Sequence, residues 1–183
     1  MIRYTHGNLF ESNAEALVNT VNTVGVMGKG IALQFKNAYP INFTKYVEAC
    51  RSGELTTGKL LIIREKNSRG QEKIIINFPT KQHWRNPSKY EYITKGLKEL
   101  AQAINKYSIK SIAIPPLGCG NGGLHWDIVK PMIENALRDS EATIYIYEPD
   151  AIPSTTLQFE QLDLFADRLD QRQIFMNFIP HKT

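Results

Sequence analysis

Apolar residues recur along this chain at two spacings, and the alternation between them predicts a chain of strands and helices. Short apolar or alternating runs at residues 2–5, 16–19, 59–64, 73–78, 111–114 and 142–147 have the length and β-branched content of strands. Between them the spacing turns helical. Ile31, Ala32 and Phe35 share one helix face, and Phe43, Tyr46, Val47 and Cys50 share another. Further on, Ile93, Leu97, Leu100, Ala101 and Ile104 form a third stripe. Ile128, Val129, Met132, Ile133, Ala136 and Leu137 form a fourth. Punctuation supports these elements: Pro40 closes the first helix and Gly53 stops the second. Ser88 reads as the N-cap of the third, with Glu91 completing a capping box. His6-Gly7-Asn8 reads as a turn, and Asn67-Ser68-Arg69-Gly70 as a hairpin turn. The pattern implies an α/β fold: a three-layer α/β/α domain over residues 1–150 with a mixed, largely parallel central sheet. After it, residues 151–156 read as linker. Leu162, Phe165 and Leu169 then suggest a short terminal helix, packed on the domain or leading to a further region.

Two glycine clusters interrupt this pattern where strands give way to helices. Gly25, Gly28 and Gly30 follow the second strand, and Gly118, Gly120, Gly122 and Gly123 follow the fifth. Such loops let the backbone approach a ligand, and the helix N-terminus beyond the first offers unpaired N–H groups. Together they form an anion site at the carboxyl ends of strands. The first cluster matches neither the dinucleotide fingerprint nor a Walker loop, since no Ser or Thr follows Lys29.

Composition narrows the class. The chain has 183 residues, 42% hydrophobic and 22% charged, as expected of one globular domain. No apolar run reaches membrane length and Met1-Ile2-Arg3-Tyr4 is no signal peptide, so a cytoplasmic protein without a membrane partner is expected. Cys50 and Cys119 make neither a disulfide framework nor a metal spacing, and Cys50 reads as a buried apolar position. No metal and no cofactor are expected. The net charge of +4 divides unevenly: residues 1–139 carry 19 Lys/Arg against 11 Asp/Glu, and residues 140–183 carry 3 against 7. The basic part holds both glycine clusters, which suits an anionic partner such as a nucleotide or nucleic acid.

Asn19 through Lys36, with Gly118-Cys119-Gly120 ahead of Leu124-His125-Trp126, resemble the macrodomain family, the ADP-ribose-binding fold, over roughly residues 1–148. Val21 through Gly30 and the loop Asn77 through Arg85 resemble its DarG-type branch of DNA ADP-ribosyl glycohydrolases. That branch is related to terminal ADP-ribose protein glycohydrolase. The resemblance implies a hydrolase that binds ADP-ribose and removes it from thymine in single-stranded DNA. It also implies an antitoxin role, with a DarT-type toxin as partner.

By the same resemblance, Met27, Gly28, Lys29, Gly30 and Ile31 cradle the pyrophosphate and distal ribose together with Gly118, Cys119, Gly120, Asn121, Gly122 and Gly123. Leu9, Val21, Thr23, Thr80, Pro116 and Leu124 adjoin the ligand. Asn8 stands where the family usually has an Asp that accepts from the adenine amino group. An Asn carbonyl can still accept, and the alternative is an Asx turn. Asn22 is a catalytic candidate facing the distal ribose, or else an Asn that stabilises its own turn. Lys81 takes the place of the catalytic Lys. Desolvated and near other positive groups, it would lose proton affinity and attack C1″. Protein-hydrolysing relatives place an Asp where this chain has Gly122, which argues against a glutamate-ester substrate. His83, Trp84 and Arg85 could stack a splayed base and hold a phosphate; the alternative is Trp84 in the core and Arg85 a solvated charge. His125 and Trp126 read as packing, and His6 has no chemical role. A glutamate-directed protein hydrolase and a non-catalytic ADP-ribose-binding module are the rival functions.

Overall fold

Strands that are apolar on both faces need a layer of helices on each side. The computed structural model, which describes residues 1–149, has that arrangement. Its elements are β1 (Ile2–Thr5), β2 (Ala16–Val21), α1 (Gly30–Ala38), α2 (Pro40–Arg51) and β3 (Leu61–Lys66). They continue with β4 (Glu72–Pro79), α3 (Tyr90–Lys106), β5 (Ser111–Ile114), α4 (Trp126–Leu137) and β6 (Thr143–Tyr147). A single 3-10 turn, Leu9–Glu11, lies between β1 and β2. The linker and terminal helix expected after residue 150 lie outside the described residues.

The six strands form one sheet in the order β1-β6-β5-β2-β4-β3. Neighbours run parallel except β3 and β4, which pair antiparallel across the expected hairpin. The Asn67 side chain organises that turn by accepting from the Arg69 and Gln71 N–H groups at 3.0 Å each. Along the central strands successive residues enter opposite cores. Val18, Ile76, Ile112 and Ile144 pack with Ile93, Leu97 and Leu100 of α3 and Val129 and Ile133 of α4. Leu17, Ile75 and Ala113 pack on the other face with Phe35 and Tyr39. A smaller cluster of Val21, Met27, Tyr46 and Ala49 continues that layer beneath the first glycine loop.

Three local expectations are corrected. Ser88 is not an N-cap: α3 starts at Tyr90, Lys89 precedes it without a side-chain cap, and Glu91 bonds Lys95 instead. The Ser88 N–H donates to Gly122 O at 2.9 Å, which turns its side chain inward beneath the second glycine loop. Ile128 is 47% exposed, because the buried stripe of α4 is Val129, Ile133 and Leu137 and Ile128 lies beside it. Cys50 is half-buried rather than buried, at the margin of the cluster under α2.

Helix α2 begins at Pro40, and its N-cap Tyr39 supplies no side-chain acceptor. A residue distant in sequence does. Glu65 of β3, only 7% exposed, accepts from the Ile41 N–H at 3.1 Å and the Asn42 N–H at 2.7 Å. Next to it, Asn77 exchanges side-chain hydrogen bonds with Asn42 and accepts from Asn19 at 3.0 Å. This chain of carboxamides joins β2, β4 and α2 below the loops. Removing a charged acceptor leaves the buried Asn42 amide and the part-buried Ile41 amide unpaired. Glu65→Ala is therefore expected to lower stability by about 2 kcal/mol in urea denaturation, and Glu65→Gln, which keeps one acceptor, by less.

Candidate active site

The β2–β4 ladder does not stop where the strands stop. The Thr80 N–H donates to Val21 O at 2.9 Å and the Thr23 N–H to Gln82 O at 3.0 Å. The Thr23 hydroxyl donates to the same Gln82 carbonyl at 2.9 Å. The loop after β2 is thus clasped to the loop after β4. Lys81 reaches from that second loop to a third, its Nζ donating to the Asn121 carbonyl in the loop after β5. A Cβ on Gly30 would sit 3.2 Å from Asn121 Nδ2, so the first and third loops also touch. Lys81, Gly30 and Asn121 meet at the carboxyl ends of parallel strands, the usual ligand position in such sheets.

Asn22 shapes the first loop. Its Oδ1 accepts from Val24 N–H at 3.1 Å and Val26 N–H at 3.3 Å, and its Nδ2 donates to Val26 O at 2.6 Å. The Tyr46 hydroxyl donates to Asn22 O and Oδ1, both at 3.0 Å. The Asn22 side chain is therefore committed to its own turn, the alternative reading of that residue. Beyond it Met27 is buried, and Gly30 takes a left-handed φ of +57° as α1 begins. Lys29 caps nothing with its side chain, and among the described residues no group accepts from the Gly30, Ile31 or Ala32 amides.

The loop after β5 has a comparable set. Its turns are closed by Cys119 N–H to Pro116 O, Gly123 N–H to Gly120 O and Leu124 N–H to Gly118 O. The amides of Gly120, Asn121 and Gly122 have no acceptor among the described residues. Two groups of unpaired N–H donors on touching loops, one at a helix N-terminus, suit a polyanion. The structure also explains why no acid follows Asn121. A Cβ on Gly122 would stand 2.2 Å from Gly118 O and 2.3 Å from Ser88 Oγ, so no side chain fits this loop shape. Ser88 Oγ itself is buried without a partner.

Lys81 is half-buried, and burial pulls its ammonium below the ordinary lysine range. Burial is the only cause, so the expected help from neighbouring positive charges is not present. Trp84 is 43% exposed, which removes it from the core. The Arg85 guanidinium lies 4.5 Å over its ring, and the His83 ring stacks against it at 5.5 Å and 27°. This is an exposed aromatic and cationic platform two residues past Lys81.

The remaining candidates are less direct. Asn8 Oδ1 accepts from Phe10 N–H at 3.0 Å and Nδ2 donates to Glu11 at 3.4 Å, so Asn8 does form an Asx turn. The side chains of Leu9, Val21 and Thr80 are buried, which leaves their backbone as the part a ligand could meet. Cys119 is half-buried, with its thiol pushed up to about 11 by burial, a poor nucleophile. Leu124 and Trp126 pack against the main core. Sequence reasoning missed Ser88 and Tyr46, which support the loops from below, and neither carries a local signal of that role.

A profile of the Macro domain family matches residues 18–133. The DNA ADP-ribosyl glycohydrolase of Thermus aquaticus is 51% identical over 150 residues, spanning 81% of this chain and 41% of the relative. The protein of the same name from Mycobacterium tuberculosis is 53% identical over 148 residues, spanning 79% and 42%. This chain thus covers about two-fifths of the length of the curated relatives it matches. Among solved structures, the macrodomain of Mycobacterium tuberculosis DarG superposes with a TM-score of 0.77 at 50% identity, over 81% of this chain and 98% of that one. Thermosipho africanus DarTG in complex with ADP-ribose gives 0.76 at 37% identity, over 81% of this chain and 41% of that one.

The crowding at Gly122 can be tested directly. Gly122→Ala must displace the loop backbone, so affinity for ADP in titration calorimetry should fall about tenfold or more while the circular dichroism spectrum is retained. Unchanged affinity would remove the loop after β5 from the anion site. With the family profile spanning most of the described residues, and a half-identical macrodomain superposing on them, this chain belongs to the Macro domain family.

Proposed function

We propose that this chain is a DNA ADP-ribosyl glycohydrolase that binds ADP-ribose and removes it from thymidine in single-stranded DNA, reversing a DarT-type toxin. The observation that carries the reading is the half-buried Lys81 amine, hydrogen-bonded to Asn121 where the two loops with unpaired amides touch. Relatives about half-identical to this chain have that activity in their names, and the solved DarTG structure holds ADP-ribose. The platform of His83, Trp84 and Arg85 supports a nucleic-acid substrate, since such stacks hold single-stranded bases. The DarTG structure supports a DarT-type toxin as the partner in this reading, which takes the setting to be cytoplasmic. No helix of the described residues is long and apolar enough to cross a membrane.

In this reading the Gly30, Ile31 and Ala32 amides hold the pyrophosphate together with those of Gly120, Asn121 and Gly122, helped by the positive end of α1. Asn8 Oδ1 has a second lone pair, beyond the one given to Phe10, for the adenine amino group. Asn22 acts by shaping the first loop rather than by touching the reacting atoms. Neutral Lys81 Nζ attacks C1″ of the distal ribose. A C–N bond forms to the lysine as the C1″–N bond to thymine breaks. The bonding pair leaves with the base, which takes up a proton from water. Water then adds at C1″ and gives up a proton to the hydroxide left by protonation of the base. The bond to Lys81 breaks with its electron pair returning to nitrogen, and ADP-ribose is released with the neutral amine restored. An imide-like base leaves without a dedicated acid, which agrees with the glycine at 122. A glutamate carboxylate is a less consistent partner for the stacked aromatic platform.

Two measurements test this. Release of ADP-ribose from an oligonucleotide ADP-ribosylated on thymine should occur with the native chain and fall about a hundredfold or more in Lys81→Ala, with ADP-ribose binding retained. No release by the native chain, with binding intact, would instead identify a binding module or a protein-directed enzyme. The pH profile follows from the direction of the shift. Burial disfavours the ammonium, so the reactive neutral amine is more abundant at any pH than in an ordinary lysine. Log kcat/KM should rise with pH at unit slope and level off below pH 10.5, the ordinary lysine value.

A further inference from the structure

The first glycine loop contains an arch whose construction the binding of a pyrophosphate does not explain. Val24, Gly25 and Val26 are held at both ends by Asn22 Oδ1, at 3.1 Å and 3.3 Å. The middle rests on α2: a Cβ on Gly25 would lie 3.7 Å from Cys50 Cβ and 3.9 Å from the Val47 Cα, with φ of +81°. The two valines are left outermost, 46% and 40% exposed, among the few large apolar side chains so displayed in the described residues. Val26 Cγ1 stands 3.7 Å from where a Cβ on Gly28 would be, so it borders the ligand loop. The clasp from Thr23 to Gln82 joins the arch to the segment of Lys81 and Trp84.

We infer that Val24 and Val26, on the arch that the Thr23–Gln82 clasp joins to the segment of Lys81 and Trp84, act with Trp84 as an apolar collar that holds the base being released and so determines the leaving-group class. The inference rests on the DNA reading above and goes beyond it by assigning base selection to the arch. Valine side chains offer no hydrogen bond to a carboxylate or a guanidinium, but they match the face of a flat uncharged ring. Exposing them on a pinned arch wets apolar surface in the unliganded protein, and a base would cover it. The Arg85 guanidinium over Trp84 places positive charge at the collar's edge, where a flanking phosphate of a single strand would run. Charge and apolar surface thus agree on one occupant, a base within single-stranded DNA.

The test uses the full chain and two variants, Val24→Thr with Val26→Thr, which keeps side-chain shape, and Trp84→Ala. For each, kcat/KM is measured on the thymine-ADP-ribosylated oligonucleotide and Kd for free ADP-ribose by calorimetry. The collar predicts a loss of kcat/KM of about fivefold or more in both variants, with Kd for ADP-ribose changed less than about twofold. Excess free thymidine should inhibit the native chain more than either variant. Unchanged kcat/KM in active variants would overturn the collar alone. A parallel loss of ADP-ribose affinity would also overturn it, because the arch would then only shape the pyrophosphate loop. A native chain that releases nothing from the oligonucleotide would overturn the DNA reading and the collar with it.

Discussion

The pairing of β2 with β4 is the interaction on which the rest depends. Six residues of β2, from Ala16 to Val21, lie in parallel register with Ile74 to Pro79. Parallel strands deliver their following loops to the same end of the sheet, and here the ladder carries on into those loops through Thr80 and Thr23. Lys81 and the first glycine loop are therefore brought together by backbone hydrogen bonds, which do not depend on the identity of the side chains. With β5 pairing on the other side of β2, the second glycine loop arrives at the same place. Because Ile74, Ile75 and Ile76 are apolar on both faces, the register is pinned by the buried polar pairs that Asn77 makes with Asn19 and Asn42, which a slip of one residue would break.

Beneath the loops the structure is polar where a sheet core is normally apolar. Asn19, Asn42 and Asn77 are fully buried and linked to one another, and Glu65 holds the start of α2 beside them. Asn19 Oδ1 is left without a partner, a cost of burial, and the bonds that the network does make admit few alternative arrangements. Rigidity there matters, because the amides above it are left unpaired. Loops that could relax would close those amides on their own carbonyls. Asn22 and Tyr46 under the first loop, and Ser88 under the second, oppose that closure.

The proposed chemistry then follows from what is withheld as much as from what is supplied. Lysine is a weak nucleophile while protonated, and burial at Lys81 shifts the balance toward the neutral amine with no second cation needed. The position where an acid could serve is closed by the backbone of Gly118 and the hydroxyl of Ser88. The proposed reaction then needs a leaving group able to carry its own charge. The exposed Trp84 and Arg85 suit one carried on a single strand.

Much of this was legible in the residues themselves. The strands from 73–78 and 111–114 and the stripe of Ile93, Leu97 and Leu100 declare themselves because burial on a period of two or 3.6 leaves a local signature. The glycine clusters announce an anion loop because their backbone freedom is a property of the residue. The capping box at Ser88 failed because a local rule lost to a tertiary hydrogen bond, from the Ser88 N–H to Gly122 O. Glu65 as the cap of α2 is invisible for the same reason, since its partners lie more than twenty residues away. Sequence alone determined the layers and the two glycine loops, because these rest on periodicity and residue type, whereas Lys81 was singled out by its family resemblance. Only the tertiary structure decided that Asn22 serves its own loop, that Gly122 has no room for a side chain and that Trp84 faces outward. Those depend on which distant atoms share the space, and spacing along the chain does not encode that.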